Sequence, residues 1–177
     1  FKAGGVPSGS DKVSIDGTSY ADEAAAGLTA GDAPVAKLSA NTELGFSVAT
    51  IDNEAGAFTF SHGLGVAPEL VIFKRTDVSG DWYVYSENTG KDKYLKLNGT
   101  SQALTSTAIW QNTSPTSSLV NINLSGDSYD YVFYSFASKE GVSKVGSYTG
   151  TTGAIDIDTG FEPAFVMIKF TSGSIGY

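Results

Sequence analysis

Tyr129-Asp130-Tyr131-Val132-Phe133-Tyr134-Ser135-Phe136-Ala137 is the strongest β signal in the chain. Aromatic and β-branched side chains, which pack well on a pleated surface, fill most of it, and neither Gly nor Pro interrupts it. The run is predicted to be a central strand, ended by Lys139-Glu140-Gly141. On its N-terminal side, Leu119-Val120-Asn121-Ile122-Asn123-Leu124 reads as another strand, with Ser125-Gly126-Asp127 as the turn between them. Farther upstream, Phe46-Ser47-Val48-Ala49-Thr50-Ile51 alternates with period two. Ala55-Gly56 is predicted to turn that strand into a hairpin whose second arm is Ala57-Phe58-Thr59-Phe60. Leu70-Val71-Ile72-Phe73-Lys74 is continuously apolar before its lysine, as a strand covered on both faces should be. Trp82-Tyr83-Val84-Tyr85 and Lys93-Tyr94-Leu95-Lys96-Leu97 follow as further strands. About ten short strands spaced by roughly 8–12 residues predict an all-β fold, an antiparallel β-sandwich of jelly-roll-like type.

The chain also contains part of itself twice. Residues 63–76 and 159–171 align at a fixed offset: Gly65 and Gly160, Pro68 and Pro163, Val71 and Val166, Lys74 and Lys169, and Thr76 and Thr171 are each 95 positions apart. Gly45-Phe46-Ser47-Val48 is similar to Gly146-Ser147-Tyr148-Thr149, and Trp82 falls on Tyr177. Repetition of a supersecondary unit marks an architecture that extends by addition. Three parts are therefore expected: a linker or packing arm over residues 1–44, a β-sandwich repeat unit over 45–144, and the incomplete beginning of a second unit over 145–177. Within the first part, Val13-Ser14-Ile15-Asp16-Gly17 reads as one short strand and a turn, and residues 21–28 have the composition of a helix of two turns at most.

Bulk properties exclude several classes. A hydrophobic content of 41% and an aromatic content of 12% are ample for a packed core, so the chain is not expected to be disordered. A formal net charge of −8 opposes nucleic-acid binding, which needs a basic surface, and opposes an anionic membrane surface. Cysteine is absent, which rules out disulfides and thiolate metal sites. No apolar run is long enough for a transmembrane helix.

One set of motifs runs nearly the length of the chain. It comprises Phe1-Lys2-Ala3-Gly4-Gly5, Ser39-Ala40-Asn41-Thr42, His62-Gly63-Leu64-Gly65-Val66-Ala67-Pro68, Trp82-Tyr83-Val84-Tyr85, Ile109-Trp110, Gly146-Ser147-Tyr148-Thr149-Gly150 and Pro163-Ala164-Phe165-Val166. In this order the series resembles a domain found in large structural proteins of bacteriophages, common in aquatic phages including cyanophages, where it often follows a concanavalin-A-like jelly roll. The resemblance implies a non-enzymatic virion protein of the tail-fibre or capsid- and tail-appendage type, made in the host cytoplasm. It further implies other virion proteins as partners and self-association, with a trimer suggested by phage fibres. No catalytic residue is attached to the pattern.

The residues themselves offer a few candidate sites. Trp82, Tyr83, Tyr85 and Trp110 are the candidate ligand-binding set, an aromatic platform for a host-surface glycan. Alternation sends Trp82 and Val84 to one face and Tyr83 and Tyr85 to the other, so one set is expected in a core or interface. A carbohydrate-binding adhesin is thus the alternative to the structural reading. His62 is the sole histidine. It lacks the positioned partners a catalytic histidine requires and is expected to hold a turn. Asp77, Asp81, Asp127, Asp130, Asp156 and Asp158 lie in turn-like acidic runs. They match neither the EF-hand loop nor the nonapeptide calcium repeat, and Asp77 with Asp81 is the best pair for a structural Ca²⁺. No cofactor is expected. Glu54, Glu69, Glu87, Glu140 and Glu162 flank turns or strand ends, where a solvated surface role is favoured over paired-carboxylate glycoside hydrolysis.

Overall fold

The computed structural model describes residues 3–173. Phe1, Lys2 and the alignment of Trp82 with Tyr177 lie outside the described residues. Nine strands form among the described residues: β1 (Val13–Ile15), β2 (Thr18–Tyr20), β3 (Lys37–Asn41), β4 (Phe46–Ser61), β5 (Leu70–Arg75), β6 (Tyr83–Ser86), β7 (Lys93–Lys96), β8 (Leu104–Thr105) and β9 (Leu119–Phe136). They make one sheet in the order β2-β1-β3-β4-β9-β5-β6-β7-β8. All neighbours are antiparallel except β1 and β3, which run parallel with Val13 opposite Leu38. No helix occurs among the described residues, and the fold is all-β.

The sandwich is made by bending rather than by hairpins. The two segments expected as a hairpin around Ala55-Gly56 are one 16-residue strand, β4. The two expected around Ser125-Gly126-Asp127 are likewise one 18-residue strand, β9. Residues 46–51 of β4 pair with 131–136 of β9, and residues 56–61 pair with 119–124, with register shifts between. Asn53 (φ 55°) and Gly56 (φ 69°) on β4 and Gly126 (φ 117°) on β9 supply the left-handed backbone that a bulge needs. Asp130 anchors the bulge by accepting the Asn53 amide N–H at 2.9 Å.

These bulges fold the ribbon back on itself. Phe60 pairs with Val120, while Phe133 pairs with Ala49 eleven residues away along β4. At ~3.3 Å per residue a straight ribbon would separate those levels by about 36 Å. The two rings are instead 4.2 Å apart. Phe58 of the far half likewise meets Tyr131 of the near half at 6.2 Å. The inward side chains of both halves, among them Ile51, Phe60, Ile122 and Phe133, enter one core with Val71, Phe73, Tyr85 and Trp110.

Residues 13–41, expected within a linker or packing arm, contribute β1, β2 and β3 to this same sheet. Val13, Ala33, Val35 and Leu38 are buried in its core. The irregular stretch between β2 and β3 crosses the far half of the ribbon, where the Ala33 N–H donates to the Thr59 carbonyl at 3.0 Å. The helical propensity of residues 21–28 yields a single turn: the Asp22 carboxylate accepts the Ala25 N–H at 2.8 Å and Gly27, at φ 68°, ends it.

The opposite face of β5–β7 carries a smaller apolar cluster of Ile72, Val84 and Leu95, flanked by Leu70, Trp82, Tyr134 and Phe136. β5 is therefore covered on both faces, as its unbroken apolar sequence predicts. Residues 145–173, expected to open a second unit, form no strand. Val71 is fully buried, whereas its counterpart Val166 is 62% exposed. A strand owes its order to neighbours that take up its N–H and C=O groups, and residues 165–170 enter no strand ladder among the described residues.

Candidate functional site

The four residues of the expected aromatic platform do not share a surface. Trp110 is fully buried. It sits edge-on to Phe73 at 5.7 Å and to Tyr85 at 5.4 Å, and its indole N–H donates to the Lys93 carbonyl at 2.9 Å. The turn holding it is fixed by Gln111, whose amide donates to the carbonyls of Phe58 and Ile122. Tyr85 is buried beside Trp110, and this burial raises the pKa of its hydroxyl, which hydrogen-bonds with Ser114. These two members belong to the core: Trp110 comes from the loop before β9 and Tyr85 from β6, and the two rings meet there.

Tyr83, the first residue of β6, and Trp82, just before it, are half-buried and point to opposite faces of the sheet. Tyr83 stacks on Phe73 at 5.1 Å and leans on Tyr94 at 5.7 Å. Trp82 faces the other way, 6.3 Å from Tyr134, with the Lys74 ammonium 5.5 Å above its ring. Tyr134 was not among the expected platform residues. Its alternation within Tyr129–Ala137 against Phe133 was the signal that would have placed it opposite the main core.

Asp81, half of the calcium pair, is engaged otherwise. It forms an ion pair with Lys96 at 2.6 Å and accepts the Asn98 amide at 3.1 Å. Lys96 foremost, and then Asn98, hold its carboxyl below the usual carboxylate range. Asp130 is committed to the Asn53 N–H and Asp158 to the Gly160 N–H. Among the described residues no three His, Cys, Asp or Glu side chains cluster as a metal site would require.

His62 is fully buried. Its Nδ1 accepts the Leu64 N–H at 3.2 Å and its Nε2–H donates to the Thr116 carbonyl at 3.1 Å. Both nitrogens are thus used in the neutral ring. Burial lowers its pKa to about 4, against the Thr116 carbonyl, which acts to raise it.

A cleft of about 400 Å³ lies where β5 begins and β6 and β9 end, closed on one side by Thr159 and Gly160. Glu69, Glu87 and Glu140, three of the five candidate glutamates, line it beside Lys139 and Lys144. The Ser138 hydroxyl donates to the Glu69 carboxylate and accepts the Val145 N–H at 2.9 Å. Lys144 donates to the Asp158 carbonyl at 2.9 Å. These bonds join the end of β9 to the segment that follows it. The cleft lies between the ends of β5, β6 and β9 and the segment that follows β9. The carboxylates reach it because turns at strand ends converge there, a convergence that strand-end positions in a sequence do not reveal.

The family described as Domain of unknown function (DUF7483) matches residues 10–176. No curated protein and no solved structure matches the chain. The family match runs unbroken across the first strands, the bent ribbon and the exposed second run, and the chain belongs to the DUF7483 family.

Proposed function

We propose that this chain is a non-enzymatic structural module of a phage virion, in a tail fibre or a capsid or tail appendage, serving assembly or host-surface contact. The observation that carries the reading is the 95-residue internal repeat, whose second strand run lies apolar on the surface. A unit that repeats and shows an exposed apolar run is suited to joining its neighbours. The engagement of His62 by two backbone groups supports a non-catalytic reading, since that ring has no free nitrogen for a substrate. Other virion proteins and further copies of this chain, as a trimer by the fibre resemblance, are the partners on this reading.

Reconstruction of purified particles by electron cryomicroscopy, with the chain traced in density, tests it. Recurrence of the module along an appendage axis supports the proposal. Absence of the chain from particles, by mass spectrometry of the same preparation, overturns it.

The glycan-binding alternative rests on Trp82, which remains half-exposed beside Tyr134. Its test is a glycan array on which binding is lost with Trp82→Ala while the thermal transition is kept. Trp110→Ala is unsuited to that purpose, because it removes a core side chain.

A further inference from the structure

Phe165, Val166, Met167 and Ile168 are exposed by 81%, 62%, 43% and 67%. Four consecutive large apolar side chains on the surface are an interaction signal, unlike scattered exposed apolar residues. The segment after them is tied down: Thr171 accepts the Ala103 N–H at 3.0 Å, and the Lys169 ammonium donates to the Gly99 carbonyl. The run is thus presented on the β7–β8 side of the molecule.

The internal repeat says what covers such a run. With the 95-residue offset, Phe165, Val166, Met167, Ile168 and Lys169 correspond to Leu70, Val71, Ile72, Phe73 and Lys74 of β5. β5 pairs through six residues with β9, from Leu70 opposite Phe136 to Arg75 opposite Tyr131. It pairs through four with β6. β9 is therefore the principal cover of this motif. The β9 of this chain is itself committed to β4 and β5, one on each edge.

We propose that residues 165–170 form a strand-docking site whose occupant is the β9-type strand of a second unit of this fold, one in which this run, and not a β5 of that unit's own, fills the β5 edge. The occupant adds antiparallel to the run. Main-chain hydrogen bonds supply affinity and alternate side chains supply specificity. By the register of β5 and β9, Val166 faces the serine equivalent to Ser135, and Ile168 faces the phenylalanine equivalent to Phe133. The inference gives the module reading a joining device but does not depend on a virion setting, since strand docking is read on the isolated chain.

The experiment uses the full chain and a fluorescein-labelled peptide with the sequence of residues 128–137, carrying two added lysines for solubility. Fluorescence anisotropy reads binding, and hydrogen exchange reads where it occurs. The expected result is saturable binding with new amide protection over residues 165–171. Phe165→Asp and Ile168→Asp each weaken it by roughly tenfold or more, the effect of losing one buried large apolar side chain. Both positions are exposed, so the variants keep the thermal transition of the parent chain. No saturable binding, or equal binding of a scrambled peptide, overturns the proposal while leaving the virion reading to its own test. Protection over β4 or β5 instead overturns it by showing exchange into the existing sheet. Concentration-dependent association through residues 165–168 that the peptide does not compete with overturns it in favour of run-to-run pairing.

Discussion

The rings of Phe60 and Phe133 meet at 4.2 Å although their strand partners, Val120 and Ala49, lie in opposite halves of one bent ribbon. This contact closes the core by joining the two halves directly. Phe60→Ala and Phe133→Ala are each expected to cost about 3–5 kcal/mol, the usual loss for a buried phenylalanine. Denaturant midpoints at constant slope check the values. A loss well under ~1 kcal/mol at either position would show that the halves are held by other contacts.

His62 makes stability fall on acidification. The unfolded ring takes a proton near its ordinary value of 6.5, while the folded ring resists until about 4. More protons are bound in the unfolded state between those values, so the contribution is complete above 6.5 and is lost as pH falls toward 4. Its size over the whole interval is about 3 kcal/mol. Urea midpoints at pH 7 and pH 4.5 should diverge less for His62→Gln than for the parent chain. Equal divergence would assign the acid sensitivity to other groups.

Glu23 acts with the opposite sign. It is buried, its Oε2 accepts the Val35 N–H at 3.3 Å, and its Oε1 has no partner among the described residues. Burial foremost raises its pKa. The folded state thus holds this proton more tightly than the unfolded state, and stability declines as pH rises through and above the ordinary glutamate range. Glu23→Gln keeps the acceptor for Val35 and removes the buried charge. It is expected to stabilise by about 1 kcal/mol at pH 7 and to have little effect near pH 4. Thermal transitions at both values decide it, and destabilisation at pH 7 would contradict it.

Gly45 precedes β4 at φ 63°, and a Cβ there would overlap the Ala137 carbonyl. Gly45→Ala therefore meets both backbone strain and a clash at the point where the Ala137 N–H donates to the Gly45 carbonyl at 2.8 Å. A loss of about 1–3 kcal/mol is expected. Gly150→Ala, in open space, serves as the control with no measurable loss.

Much of the sheet was legible in local pattern. Tyr129–Ala137 read as central and lies between β4 and β5, and the unbroken apolar run of β5 announced cover on both faces. The bend was not legible. A glycine with positive φ serves a reversal and a bulge equally well, and the choice at Ala55-Gly56 depends on β9, some 70 residues away in sequence. The short strand at Val13–Ile15 was legible, but Leu38 sits in a five-residue strand within a small, polar stretch whose period does not stand out. The expected platform failed at Trp110 and Tyr85 because alternation fixes which face a side chain takes but not what lies over that face. Trp110 stands in a stretch of Thr, Ser and Asn, and its burial follows from the fold as a whole.

β9 stands in the middle of the sheet, with four strands on each side of it, yet among the described residues it is the last strand in chain order. During synthesis, β1–β4 and β5–β8 emerge as two half-sheets with no pairing between them. Most of the ribbon core waits for residues 119–136 to leave the ribosome. Pairings that span so much of the chain fold slowly, and until they close, apolar strand edges stand open to other chains. Chaperone demand should therefore peak before β9 appears and fall once it is in place, so β9 sets the timing of folding as well as the geometry of the sheet.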